Sequence, residues 1–262
     1  MTNDSSRFRN QTAIVTGAGA GIGKVIALDF LKSGAQVAAV GIRAPKDGFL
    51  DDFREYGRRF LWIRANVSRE AEVRRAVQQV IRKFGRVDIL VNNAGIRGTT
   101  APVIEQDAKD WREVLEVNLT GAFLFARECA KDMMKRRQGR IINMSSIAGR
   151  MAYALRAPYA ASKWGLIGFT VTLAQELGPY NVLVNVICPG PVEGANIERV
   201  IAERARVLGV SVQKARELHA GPAILGRMVS PQDVSQTVLF LCSEAARSIT
   251  GQAINVCGGY KL

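Results

Sequence analysis

The chain has 262 residues, 48% of them hydrophobic and 23% charged, a composition that excludes disordered and fibrous classes and suits one globular core. Lysine and arginine total 36 against 23 acidic residues, a formal charge of +13, which raises the question of a polyanionic partner. The basic residues are interleaved with acids, as in Arg69-Glu70-Ala71-Glu72-Val73-Arg74-Arg75, and no DNA- or RNA-reading motif accompanies them, so the charge reads as solvated surface and no nucleic-acid partner is expected.

In chain order, short β-branched or apolar runs predict strands over 12–16, 36–40, 60–64, 89–92, 140–144, 183–187 and 253–256, with longer helical patterns between them. Strands that alternate with helices imply a parallel sheet covered on both faces, and right-handed crossovers make it a doubly wound, Rossmann-type α/β sheet. No repeat or long linker marks a second domain, so residues 1–262 are read as one domain. The rhythm breaks over 190–229, where a Pro-Gly-Pro turn leads into helical stretches at 197–208 and 212–219. An insertion after a strand's carboxyl end is expected to form a small helical substrate lid, with Gly190, Pro191, Gly221 and Pro222 as candidate hinges.

The first strand runs directly into Gly17-Ala18-Gly19-Ala20-Gly21-Ile22-Gly23 and then an apolar helix pattern from Val25. Glycines there permit a tight turn and let a phosphate approach main-chain N–H groups at the positive end of the helix. The absence of a following Gly-Lys-Ser or Gly-Lys-Thr excludes a P-loop. The Thr16-Gly17-x-x-x-Gly21-x-Gly23 spacing resembles the short-chain dehydrogenase/reductase family. Asn92-Asn93-Ala94-Gly95, Asn118, Ser146, Tyr159-x-x-x-Lys163 and Pro189-Gly190-Pro191-Val192 follow in that family's order, and the resemblance runs from about residue 11 to 259.

The resemblance implies an NAD(P)-dependent oxidoreductase acting on an alcohol or carbonyl. Gly17, Gly19, Gly21, Ile22 and Gly23 would cradle the cofactor phosphates. Asn66 and Val67 would flank the adenine, Asn93, Ala94 and Gly95 would support the nicotinamide half, and Pro189, Gly190 and Val192 would pack beside the nicotinamide. Where relatives that use NAD place an acid at the end of the second strand, this chain has Gly41, followed by Ile42 and Arg43. With no carboxylate to repel a 2′-phosphate, and with Arg43 and Lys46 nearby, the balance tips slightly to NADP(H) over NAD(H). Departures from the family pattern are Asn66 for the usual Asp, Ala20 and Ile42 where relatives that use NADP often carry a basic residue, and Gly194 for a frequent Thr.

Hydride transfer to a carbonyl needs a proton donor for the developing alkoxide, and the reverse reaction needs a base. Tyr159 and Lys163 are four apart, so on a helix they share a face, and the ammonium is expected to lower the phenol's pKa while also holding the cofactor ribose. Ser146, at a strand's carboxyl end, is expected to donate to the substrate oxygen. Ser145 is the structural alternative. By resemblance, Asn118 holds a water that passes protons to the lysine. Arg97, Arg150, Arg156, Asn196 and Arg199 are candidate substrate contacts and make an anionic substrate conceivable; neutral polyols, ketones and β-keto thioesters stay open.

Four cysteines without Cys-x-x-Cys spacing and one histidine, His219, give no expected metal site. No apolar run reaches the roughly 20 residues of a membrane helix, so a cytoplasmic protein without a membrane partner is expected. The resemblance further implies a homo-oligomer, usually a tetramer. A cofactor-bound epimerase or lyase, or a nucleotide-binding regulator without turnover, is the alternative.

Overall fold

The computed structural model describes residues 6–43, 48–221 and 223–260; Lys46 and Pro222, and the side chains of Asn196 and His219, lie outside the described residues. The first half runs β1 (Thr12–Thr16), α1 (Gly21–Lys32), β2 (Gln36–Gly41), β3 (Phe60–Arg64), α2 (Glu70–Phe84) and β4 (Ile89–Asn92). It continues through α3 (Ala108–Leu115), α4 (Gly121–Arg136), β5 (Gly139–Met144), α5 (Ala157–Leu177) and β6 (Val182–Pro189). The chain then forms α6 (Ala195–Leu208), α7 (Val212–Ala220), α8 (Pro231–Cys242) and β7 (Ala253–Val256). Every predicted strand is present, within two residues of its expected ends.

The strands form one seven-stranded sheet in the order β3-β2-β1-β4-β5-β6-β7. All six pairings are parallel. The alternation of side chains along each strand sorts the apolar residues into two cores. Ala13 and Val15 of β1, Val37 and Ala39 of β2 and Val91 of β4 join α1 and α8 on one face. Ile14, Ala38, Val40 and Leu90 join α2, α4 and α5 on the other. Every residue of β1, β4, β5 and β6 is buried, as expected for strands covered on both sides.

The strand order reverses between β1 and β4, which leaves a crevice beyond the carboxyl ends of those two strands. Their amino ends are pinned by Asp88, 3% exposed. It accepts from the Thr12 backbone N–H at 2.8 Å, Arg86 Nε at 2.8 Å and Arg136 Nη1 at 3.0 Å.

The excursion at 190–229 leaves and returns to the sheet at a bridge between Val192 and Val229. Within it α6 and α7 share a small apolar cluster of Ile197, Val200, Ile201, Ala205 and Ala215. Gly190 is a close-packing glycine: a Cβ there would stand 2.9 Å from Cys257 Cα. Among the described residues no helix is long and apolar enough to cross a membrane.

Asp88→Ala strands a fully buried Thr12 N–H, and removes the acid paired with Arg86 and one of the two acids paired with Arg136. It is expected to lower unfolding free energy by about 2–3 kcal/mol, read as a lower denaturant midpoint at unchanged m-value.

Candidate active site

A cleft of about 310 Å³ opens at the crevice, walled by the Gly-rich loop, residues 93–97, the end of β5, the start of α5 and residues 189–192. On its cofactor side, Gly17 takes φ +65°, and a Cβ there would lie 2.8 Å from Ala94 Cα. At Gly23 a Cβ would meet Gly17 O and Asn93 Nδ2, each at 2.5 Å. These two glycines let the loop press against the end of β4. Gly21, at φ +55°, faces open space in the cleft wall. Asn93 Nδ2 donates to Thr16 O at 3.0 Å and Gly17 O at 3.2 Å, while Thr16 Oγ1 accepts from the backbone N–H groups of Asn93 and Ala94 at 3.0 Å.

The first turn of α1 has no acidic residue and no side-chain cap, whereas α8 carries a Ser230–Asp233 capping box. Its leading N–H groups therefore have no side-chain acceptor and suit a phosphate, as the glycine cradle does. A nicotinamide dinucleotide fits this donor set, with Gly17, Gly21, Ile22, Asn93, Ala94, Gly95, Pro189, Gly190 and Val192 all on the cleft wall. Gly23 is buried behind that wall, and Gly19 is exposed outside it. Gly41, Ile42, Arg43, Asn66 and Val67 lie outside the cleft, at the carboxyl ends of β2 and β3. Asn66 Oδ1 accepts from Ser68 N at 3.0 Å and Ser68 Oγ at 2.9 Å, and Val67 packs where Gly121 leaves room, 2.8 Å from a Cβ built there.

On the reacting side, Ser146 leaves β5 extended and caps a short turn through Ala148 N, 3.1 Å from its Oγ. Its hydroxyl shares the cleft with the Tyr159 phenol and favours the phenolate. Neighbouring Ser145 turns away, donating to Lys163 O at 2.8 Å. Gly149 permits this closeness, since a Cβ there would sit 2.7 Å from Lys163 O. One helical turn beyond Tyr159, Lys163 is 5% exposed. Its Nζ donates to Met144 O at 2.7 Å and lies 5.5 Å from the Tyr159 ring centre.

Burial controls both groups. Tyr159 keeps part of its surface open to the cleft, yet enough protein surrounds the phenol to push it up to about 12, with the Ser146 hydroxyl pulling the other way. Lys163 is pushed down to about 8 by loss of hydration. Desolvation of the phenolate outweighs the lowering pull of Ser146 and of the Arg156 and Arg97 charges.

Asn118 sits behind the cleft, 1% exposed, on a π-turn spanning Glu116–Thr120 between α3 and α4. Its Nδ2 donates to Ile96 O and Ser162 Oγ, both at 2.9 Å, and its Oδ1 accepts from Ile96 N at 2.7 Å. Ser162 Oγ donates onward to Tyr159 O at 2.7 Å. The carboxamide therefore ties the loop after β4 to the helix that carries Tyr159 and Lys163.

Of the candidate substrate arginines, Arg97 and Arg156 line the cleft. Arg156 is 1% exposed. It is committed: Nη2 donates to Glu203 of α6 at 2.8 Å and Nη1 to Gly98 O at 3.0 Å. Arg150 points to Ala253 O at 3.4 Å on the surface, and Arg199 is exposed outside the cleft wall. The remaining wall is apolar and aromatic, with Ile147, Tyr153, Ile197, Val200 and Tyr260, none of which the sequence singled out, because they reach the cleft from the loop before α5, from α6 and from the chain's end. Gly194 takes φ +127°, a conformation that would strain the Thr frequent in relatives.

Residues 11–205 match the family model for short chain dehydrogenases. The chain belongs to the short-chain dehydrogenase/reductase family. It is accordingly an NAD(P)-dependent oxidoreductase. Among curated relatives it is 37% identical over 255 residues to the 3-oxoacyl-[acyl-carrier-protein] reductase FabG of Aquifex aeolicus, covering 97% of this chain and 98% of the relative. The FabG of Thermotoga maritima is 35% identical over 254 residues, with the same coverage of 97% and 98%. Among solved structures, an NAD+-bound xylitol dehydrogenase superposes with a TM-score of 0.93 at 31% identity, covering 97% of this chain and 100% of that one.

The depressed Lys163 carries a stability consequence. Below pH 8 native and unfolded chains both hold the proton, and the buried charge costs the fold about 3 kcal/mol. Between about 8 and the usual 10.5 only the unfolded chain binds it, so native stability rises with pH through that window. Lys163→Met is expected to remove turnover while leaving the protein at least as stable at pH 7. Its advantage over the parent in paired unfolding curves should shrink as pH rises through that window; an advantage that grows with pH would contradict the assignment.

Proposed function

We propose that the enzyme interconverts a carbonyl and a secondary alcohol with Tyr159 as the proton donor and acceptor. The observation that carries this is the convergence of Ser146, Tyr159 and Lys163 on one cleft with the Gly-rich loop. Bound nicotinamide supplies or takes up the hydride. Tyr159, held protonated at neutral pH by its raised pKa, donates to the alkoxide oxygen as the carbonyl is reduced. Ser146 Oγ donates a hydrogen bond to the same oxygen and shares the developing charge. Lys163, fixed by Met144 O, holds the cofactor ribose and keeps a cation beside the phenol when the proton must return. Asn118 maintains the spacing of these groups through Ile96 and Ser162.

The substrate reading is a ketone with an apolar arm, in the manner of a 3-oxoacyl thioester. The apolar wall around Tyr153, Ile197 and Val200 supports it, as do the names of the FabG relatives, and the commitment of Arg156 to Glu203 weighs against a small anion bound there. A polyol substrate is the second reading, favoured by the similarity to xylitol dehydrogenase. The 190–229 excursion serves as the lid, latched by Glu203 to Arg156 and by Arg204 to Ala154 O at 3.1 Å. NADP(H) is preferred over NAD(H), since position 41 offers no carboxylate. Exposed Trp164 and Val171 on α5 and Phe123 on α4 mark the subunit contact of a homo-oligomer.

Reduced-nicotinamide absorbance with 3-oxoacyl thioesters and polyols, each with NAD(H) and NADP(H), tests the reaction. Tyr159→Phe is expected to lower kcat by roughly 10³-fold with cofactor affinity unchanged, and Ser146→Ala by roughly 10²-fold. Because the phenol is raised and not lowered, carbonyl reduction should stay flat with pH through neutrality while alcohol oxidation climbs into the alkaline range. Oxidation that peaks at acid pH would remove Tyr159 from the role. Trp164→Glu should shift the species seen by light scattering toward the monomer.

A further inference from the structure

Arg156 immediately precedes α5, three positions ahead of Tyr159, and its buried side chain stands on the wall of the same cleft. A guanidinium there has lost its water and must find its counter-charge in the protein. Among the described residues one acid supplies it: Glu203 of α6, whose Oε2 accepts from Arg156 Nη2 at 2.8 Å and from Thr100 Oγ1 at 3.1 Å. The pairing is lopsided, because the Glu203 side chain is 43% exposed while its partner is sealed. The other bonds of Arg156 fix where its charge sits: Nη1 donates to Gly98 O at 3.0 Å and to Arg97 O at 3.4 Å. Leu155 beside it holds φ +66°, a strained conformation for a residue with a side chain, and its carbonyl accepts from Ala101 N at 3.1 Å. The guanidinium is thus anchored to the body of the site, while the carboxylate that neutralises it rides on the excursion. The charged and titratable groups facing the Tyr159 phenol are Arg97 from the loop after β4, Tyr153 and Arg156 from the segment before α5, and Lys163 one turn along α5. Ser146 at the end of β5 and Tyr260 at the chain's end complete that wall. Both arginines favour the phenolate.

We propose that Glu203 is a positioning residue of the reaction, acting on Tyr159 through Arg156. Seated against the guanidinium, it cancels most of that charge's field at the phenol, which stays a proton donor; when α6 lifts, the field returns and favours the phenolate. A closed excursion therefore suits carbonyl reduction, and the carboxylate sets how far pH must climb before alcohol oxidation starts. By linkage, the protonated phenol favours the closed excursion. The inference rests on Tyr159 as the proton donor and acceptor, and gives the excursion an electrostatic task beyond covering the substrate.

Nuclear magnetic resonance of the full chain, labelled with carbon-13 at the tyrosine Cζ, tests it without substrate, the Tyr159 resonance being the one lost in Tyr159→Phe. The phenolate fraction is read at one alkaline pH where circular dichroism shows every variant folded. Glu203→Gln keeps an acceptor oxygen and drops the charge; it should raise that fraction about three- to tenfold, a shift of about 0.5–1 pH unit. Arg156→Met should lower it by a similar factor, and the double variant should return close to the parent. The opposite signs decide the matter, because both single variants break the latch, and water let in by a loosened helix would raise the fraction in both. Thr100→Val, which loosens Glu203 without removing a charge, makes the same distinction if Arg156→Met does not fold: the fraction should stay within about twofold of the parent. Glu198→Gln, which loses an exposed pair with Arg216 from the same helix, should change nothing. A fraction unchanged in Glu203→Gln, or raised in Arg156→Met or Thr100→Val as well, overturns the proposal. If the resonance responds as expected yet Tyr159→Phe keeps full turnover, it is the acid/base reading of Tyr159 that fails, not the link.

Discussion

Everything at the site depends on the contact between the ends of β1 and β4. Parallel strands deliver all their carboxyl termini to one edge, and the reversal of strand order between these two opens the crevice there. The crevice keeps its shape because Thr16 and Asn93 exchange hydrogen bonds across it and because Gly17 and Gly23 bring backbone to within a distance that no side chain would allow. Asn93 thus serves the cofactor site by holding the loop that would hold the phosphates.

The chemistry is set by what burial does to groups that would otherwise stay in water. A lysine pushed down to about 8 and a tyrosine pushed up to about 12 sit one helical turn apart. At neutral pH the lysine's buried charge costs the fold stability, while the phenol, neutral in both native and unfolded chains, does not through its shift. In the proposed mechanism, the same desolvation that disfavours the phenolate would strengthen a hydrogen bond from Tyr159 to a substrate oxygen.

The 190–229 excursion is attached differently at its two sides. Its base is a backbone bridge at Val192 and Val229, continuous with the sheet edge. Its outer helix is held by side chains: Glu203 accepts from buried Arg156 and from Thr100 Oγ1 at 3.1 Å, while Arg204 lies 4.7 Å over the Tyr153 ring. A stiff base with side-chain latches, one of them three residues before Tyr159, couples the position of α6 to the segment that presents the phenol.

The sequence by itself determined the order and type of the elements, the turn after β1, and the placement of Ser146, Tyr159 and Lys163 on a strand end and one helix face. These follow from local rules: period-two and period-3.6 patterning, glycine's freedom at positive φ, and the four-residue repeat of a helix. Only the tertiary structure decided that Arg156 is neutralised by Glu203 while Arg150 lies on the surface, since their partners are 47 and 103 residues away. It also decided that Asn118 clamps Ile96 and that burial raises Tyr159. Each of these is a matter of which distant group fills the adjoining space and how much water it displaces, and neither quantity is written in the spacing of residues along the chain.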